Sequence, residues 1–473
     1  MTAFEEPLDS LRRILGIDNV LTAPSDQEKY VRDWFGRLSG QALAVARPAN
    51  TNEVAEVVKV CKAHAISLVP QGGNTGLVGG AIPDTSQTQI VISLERMNRV
   101  LELDPAGKTL IAQAGATLST IHESAAAKGL EFPLTMGSQG SCTVGGLLAT
   151  NAGGTAVLRY GNARALCLGL EVVTAEGRIW NGLRRLRKDN TGFDLRDLFI
   201  GSEGTLGIIT SAVLSLIPAP RTRLAAMVSL ESADKAVELL ALAQARASAM
   251  LTAFELISDT CLRLVNQYFP ALPYPFKEQT PYSVLIEMSD QEEEVHTFAV
   301  MQSLLEEAFE SELITDALIP QSVAQARKFW DIREHIPLAQ VEDGRNVKHD
   351  ISLPTSKIPE FLEQSLPLVQ NLCSDARVIA FGHLGDGNLH FNVAAPVGAR
   401  DEAILVLKEP IHHAIHKLVN SLGGSISAEH GIGSMKVKEL RVYKSEEEMS
   451  LFSAIKAALD PHNLLNPGKV LLK

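Results

Sequence analysis

Cysteine is scarce in this sequence: Cys61, Cys142, Cys167, Cys261 and Cys373 lie far apart, and no CxxC pair occurs. That spacing excludes a cysteine-held zinc or iron–sulfur centre, and with it an internal relay through clusters, and it fits a reducing cytoplasm. Long apolar runs are also missing. No segment approaches the ~18 uninterrupted apolar residues that a membrane span needs, and the opening MTAFEEPLDSLRRILG mixes charges where a signal peptide is apolar. Neither secretion nor a membrane span is expected. Positive charge is in deficit, with 43 Lys and Arg against 55 Asp and Glu and a net charge of -12, which argues against a nucleic-acid partner. The short run Arg184, Arg185, Arg187, Lys188 reads as a solvated loop.

What is present is an ordinary globular composition spread over 473 residues, too many for one core. Val54, Val57, Val58 and Cys61 recur at helical spacing behind a Thr51 or Asn52 cap, so 51–64 reads as a helix. A strand at 66–69 follows, and others are expected at 90–94, 99–103, 109–113, 170–174 and 208–217. Pro218-Ala219-Pro220 breaks this pattern. Beyond it, helices at 231–249 and 291–309 alternate with strands near 225–230 and 282–288, so a domain boundary is placed there. The expected division is 1–218, 219–425, and a helical 426–473 that folds back on the first part.

Three glycine-rich segments stand out. Gln71-Gly72-Gly73-Asn74-Thr75-Gly76-Leu77-Val78-Gly79-Gly80 allows successive backbone N–H groups to converge on a phosphate. It is neither a P-loop, which ends in Gly-Lys-Ser/Thr, nor a Rossmann turn, which leads straight into a helix. A plain connection is the alternative. The second, from Pro133 to Gly154, carries Ser141 and Thr143 as caps for a short helix. The third, Gly201-Ser202-Glu203-Gly204-Thr205-Leu206-Gly207-Ile208-Ile209-Thr210, joins a turn to an apolar strand.

In this order and spacing, over roughly 40–218, the three segments resemble the FAD-binding domain of the vanillyl-alcohol-oxidase and p-cresol-methylhydroxylase superfamily. The resemblance implies an α+β chain, a two-part FAD-binding domain plus a cap domain built on an antiparallel sheet with helices. It also implies that FAD is held by Pro70, Gln71, Gly72, Gly73, Asn74, Thr75, Gly76 and Leu77, by Met136, Gly137, Ser138, Ser141, Thr143, Gly146, Thr150, Asn151, Ala152 and Gly154, and by Glu203, Gly207, Ile208 and Ile209. Covalently flavinylated relatives place His or Cys in the first loop. Asn74 and Thr75 stand there instead, so the FAD is expected to be non-covalent, Cys142 being the one other candidate for attachment.

The second half holds a histidine and carboxylate set. In VIAFGHLGDGNLHFNV, His383 and His390 flank the turn Gly385-Asp386-Gly387-Asn388, and an antiparallel hairpin at 378–382 and 389–393 brings the imidazoles to metal-ligand spacing. Ser427-Ala428-Glu429-His430-Gly431 supplies a carboxylate and an imidazole; two His and one carboxylate suit a divalent ion with open positions, leaving His430 as a base. A turn histidine is as readily a polar surface group. His412, His413 and His416 look like the polar face of a helix, not ligands. Arg333 and Lys348 are cations suited to a substrate carboxylate, though exposure is the default for both.

Residues 219–473 resemble the cap-bearing half of D-2-hydroxyglutarate dehydrogenases, D-lactate dehydrogenases and the glycolate oxidase flavin subunit. By that resemblance His383, His390 and Glu429 hold a divalent metal, zinc or manganese, while Asn392 faces the substrate. Arg333 and Lys348 then bind its carboxylate and His430 is the base. The implied substrate is a small 2-hydroxy acid; the absence of cysteine clusters favours a diffusible acceptor such as an electron-transfer flavoprotein or a quinone, and the sequence leaves the oligomeric state open, a homodimer included. Hydroxyglutarate-selective relatives carry a hydroxyl residue one turn beyond the Arg, where this chain has Pro337. D-lactate or glycolate is therefore the alternative substrate, and a metallohydrolase without flavin the alternative of another class.

Overall fold

A computed structural model describes residues 4–472. The chain divides into two units: one comprises residues up to Gly154, 161–219 and those from Glu429 onward; the other comprises 155–160 and 220–428.

In the first unit the helix Thr51–Ala63 forms where the apolar spacing predicts, with Val54, Val57, Val58 and Cys61 buried. Its cap is one residue earlier than expected: Asn50 accepts from the Glu53 N–H, and Glu53 returns its carboxylate to the Ala49 N–H at 2.7 Å. The chain then enters the strand Leu68–Gln71, which pairs in parallel with Ile90–Ser93, itself parallel to Ala44–Ala46. A five-stranded antiparallel sheet follows, ordered Val100–Asp104, Thr109–Gln113, Ile208–Ser215, Cys167–Val173, Ile179–Gly182. Every residue of its central strand, Ile208–Ser215, is buried, as the apolar run of the third glycine segment predicts.

Residues from Glu429 onward pin the glycine segments by polar contacts. The Asn466 side-chain amide donates to the Gly80 and Glu203 carbonyls, Lys456 to the carbonyls of Thr205 and Leu465, and Lys469 to that of Ile82. Main-chain carbonyls that strands would otherwise satisfy are answered here by side chains.

The second unit is built on a seven-stranded antiparallel sheet, ordered Asp316–Leu318, Thr222–Leu230, Tyr282–Asp290, Leu251–Ser258, Arg377–His383, Asn388–Ala394, Asn346–Ser352. Side chains alternate across such a sheet, so register decides which residues share a face. Phe254, Leu256, Ala380, Leu389, Phe391, Val347 and Ile351 join a core with the helices Ala233–Ala247, Glu294–Glu310, Ile358–Leu372 and Lys408–Ser421. Ile257, Ile379, Phe381 and Ala394 point the other way and pack with the helices Asp259–Tyr268 and Val323–Asp343. Among the described residues no helix is long and apolar enough to cross a membrane.

Candidate active site

In the first unit the first two glycine segments line one cavity of about 910 Å³, with Gln71, Gly72, Gly73, Asn74, Gly140, Ser141 and Thr143 in its wall. That volume suits a cofactor-sized ligand. The two loops touch along their backbones, since a Cβ at Gly73 would lie 1.8 Å from the Ser141 carbonyl oxygen. Asn74, at φ 53°, donates its amide to the Lys29 and Arg32 carbonyls, and buried Gln71 donates to those of Tyr30 and Ala81. Both side chains therefore fix the loop and leave its glycines to face the cavity. Thr143 does stand at the N-cap of the helix Val144–Ala149, but its hydroxyl makes no capping bond; it is buried without a hydrogen-bond partner. An unanswered hydroxyl in a cavity wall fits the phosphate-bearing cofactor the loops suggest. Cys142 is buried, and desolvation pushes its thiol up, away from the thiolate that covalent attachment requires.

The Glu203 side chain has a partner that the sequence did not suggest. Its carboxylate accepts from the Ile432 and Gly433 N–H groups, each at 2.7 Å, so any contact with a cofactor falls to its backbone. Burial raises its pKa, and the two N–H bonds oppose that rise. The turn that follows His430 is thereby anchored to the third glycine segment, and Ser434 and Met435 donate to the Val78 carbonyl of the first. Glu429 lies against the second: a Cβ at Gly153 would meet its Oε1 at 2.5 Å. Glu429 and His430 are both half-buried.

In the second unit the expected hairpin forms between Arg377–His383 and Asn388–Ala394, with Phe381 opposite His390. The His383 and His390 rings stand 5.8 Å apart in edge contact, with one donor atom of each within 4.8 Å of the other. Their anchors were not foreseen. Glu255, fully buried on the adjacent strand, accepts from His383 Nδ1 at 2.5 Å and from Arg333 Nε at 2.8 Å. Burial works against the Glu255 charge, but His383 and Arg333 outweigh it and hold the carboxyl at about 2. Asp350, also buried, sits 3.8 Å from His390 Nδ1. The Glu255 carboxylate on His383 Nδ1 leaves Nε2 as the coordinating atom of that ring, an arrangement that suits a divalent ion.

Register places Lys348 opposite Asn392 and Asp350 opposite His390. Five residues, Glu255, His383, His390, Asn392 and Lys348, thus share one face of the sheet, toward which the helix Val323–Asp343 presents Arg333. Arg333 is not a surface cation: it is 7% exposed, stacked over Phe381 at 4.8 Å, and its terminal nitrogens have no protein partner among the described residues. Asn392 is more constrained than a substrate-facing amide need be. It donates to Gln340 at 2.8 Å and accepts from the His349 N–H at 3.2 Å. A single carboxylate inside the apolar strand LTAFELIS was the signal that could have revealed Glu255.

Residues 42–182 match the family described as FAD binding domain, and 219–470, more than half of the chain, match FAD linked oxidases, C-terminal domain. The D-2-hydroxyglutarate dehydrogenase of Xanthomonas citri pv. viticola is 38% identical over 463 residues, covering 98% of this chain and 96% of that one. The mitochondrial D-2-hydroxyglutarate dehydrogenase of Bos taurus is 37% identical, covering 99% and 84%. Among solved structures, p-cresol methylhydroxylase with substrate bound superposes with a TM-score of 0.77 at 15% identity, covering 100% of this chain and 97% of that one, a likeness of fold. A hydrolase without flavin does not account for the match over 42–182. The chain belongs to the FAD-linked oxidases and is an FAD-dependent oxidoreductase.

Proposed function

We propose that this enzyme is a dehydrogenase of D-2-hydroxy acids, with D-2-hydroxyglutarate as its substrate and the 2-oxo acid as product. The observation that carries this reading is the buried Arg333, whose Nε is fixed by Glu255 while its terminal nitrogens have no protein partner among the described residues, on the sheet face that also bears Lys348, His383 and His390. A cation held this rigidly is suited to a bidentate grip on a carboxylate. The names of the relatives agree with it.

In this reading Arg333 and Lys348 receive the substrate's C1 carboxylate, and Asn392, opposite Lys348 in the strand pair and braced by Gln340, faces the substrate. His383 and His390, with Glu429 as third ligand, hold a divalent ion, zinc or manganese, which when bound makes the C2 hydroxyl more acidic. His430 takes the hydroxyl proton on a ring nitrogen, its turn steadied by Glu203. The first two glycine segments hold FAD non-covalently, and FAD supplies the acceptor for the C2 hydride. Electrons leave to a diffusible flavoprotein or quinone.

Anaerobic mixing of the holoenzyme with paired D- and L-2-hydroxy acids tests the reading. D-2-hydroxyglutarate should reduce the flavin and its L-isomer should not. Flavin that no 2-hydroxy acid bleaches would overturn it. Chelation should stop turnover while the flavin spectrum stays intact.

A further inference from the structure

We propose that His349, His412 and His416 form a second divalent-metal site, on the opposite face of the sheet from His383 and His390. The site does not depend on the substrate assigned above. The helix Lys408–Ser421 packs against the strand Asn346–Ser352 and carries His412 and His416 one turn apart, their rings stacked at 5.3 Å and 21°. His349 meets both edge-on, at 4.7 Å and 5.5 Å between ring centres. One donor atom from each residue lies within 4.8 Å of the others.

The helix was expected to present these histidines to solvent as a polar face. Only His413 does so; His349 and His416 are each 3% exposed and His412 is half-buried. Ile411 and Ile415 of the helix and Val347, Ile351 and Phe391 of the sheet, all fully or nearly fully buried, form the apolar core around them.

His349 Nδ1 lies 2.8 Å from the Phe391 carbonyl oxygen, which can only accept, so Nδ1 carries the proton and the Nε2 lone pair points toward the other two rings. That Nε2 is 3.0 Å from His412 Nδ1, a hydrogen-bonding distance, so metal binding requires the His412 Nδ1 proton to move to the other nitrogen of that ring. Two imidazole nitrogens bound to one ion at ~2.0–2.1 Å in tetrahedral geometry stand roughly 3.3 Å apart, so a few tenths of an ångström convert the contact into a chelate. Three imidazole nitrogen donors select zinc, cobalt, nickel or copper over magnesium or calcium, which take oxygen. Half-exposed His412 marks the side from which water completes the coordination.

The test uses purified holoenzyme equilibrated with cobalt(II) or zinc(II), desalted, and analysed for metal by mass spectrometry. Wild type should retain two ions per chain, H412Q/H416Q one, and H383Q one, with flavin content unchanged in H412Q/H416Q. Equal metal content in wild type and H412Q/H416Q would overturn the proposal. A wild type that holds a single ion, lost in H383Q, would overturn it too while leaving the first site standing. Should H412Q/H416Q fail to fold, wild-type crystals soaked in cobalt(II) decide the matter: anomalous scattering among the three imidazoles supports the site, and its absence at saturating metal removes it.

Discussion

Replacing Glu255 with glutamine isolates the charge that links Arg333, the proposed carboxylate binder, to His383, a proposed metal ligand. The side chain keeps its volume, but Arg333, 7% exposed, loses its counter-ion, and an amide can offer only one acceptor where two donors, Arg333 Nε and His383 Nδ1, now converge. Because the carboxyl is held at about 2, it is ionised at any assay pH, so the substitution removes a full charge. Breaking one side of a buried ion pair costs about 3–5 kcal/mol. At ~2–4 °C per kcal/mol for a domain of this size, the unfolding midpoint of the cap should fall by roughly 6–20 °C. Loss of the group that orients His383 should weaken metal affinity by ~10–100-fold. Differential scanning calorimetry, metal retention after desalting, and flavin reduction by D-2-hydroxyglutarate read the three consequences separately. If E255Q kept its midpoint within a degree or two and its metal and rate within twofold, the buried triad would not be what positions Arg333 and His383.

H430N should lower turnover by ~10²–10⁴ with FAD still bound, and a variant of near-normal rate would reject His430 as the base. Gly73→Ala should lose FAD during purification, because the new methyl would sit 1.8 Å from the Ser141 carbonyl oxygen, and a stoichiometric flavin spectrum in that variant would contradict the cradle. The pKa of Glu203 is raised in the folded chain, by burial above all, so protonation adds stability as pH falls through that raised value toward the ordinary carboxylate range. The same proton breaks an N–H bond to the 432–433 turn, so turnover should fall on the acid side while the unfolding midpoint does not; E203Q should lack this acid limb, and an unchanged limb would assign it elsewhere.

Local patterns carried much of the fold. The helix Thr51–Ala63 and the strand Ile208–Ser215 were legible because periodicity and apolar runs lie within a single segment. The histidine hairpin was legible because its turn is marked by glycines. Glu255 was not, since it meets His383 128 positions along the chain, and pairing at that distance is decided by strand order. Lys348, His349 and Asp350 show the same limit: three consecutive polar residues reveal nothing of which way each points until the register with Phe391 and His390 is known. His416 misled for the opposite reason. Its helix has a polar pattern, yet packing against the sheet buries it.

The clasp by Lys456, Asn466 and Lys469 has a temporal corollary. The carbonyls of Gly80, Ile82 and Glu203 leave the ribosome long before the side chains that bind them, with the entire second unit synthesised in between. Flavin capture is therefore expected to be post-translational, and a nascent chain stalled before residue 456 should remain colourless however much cofactor the cell provides.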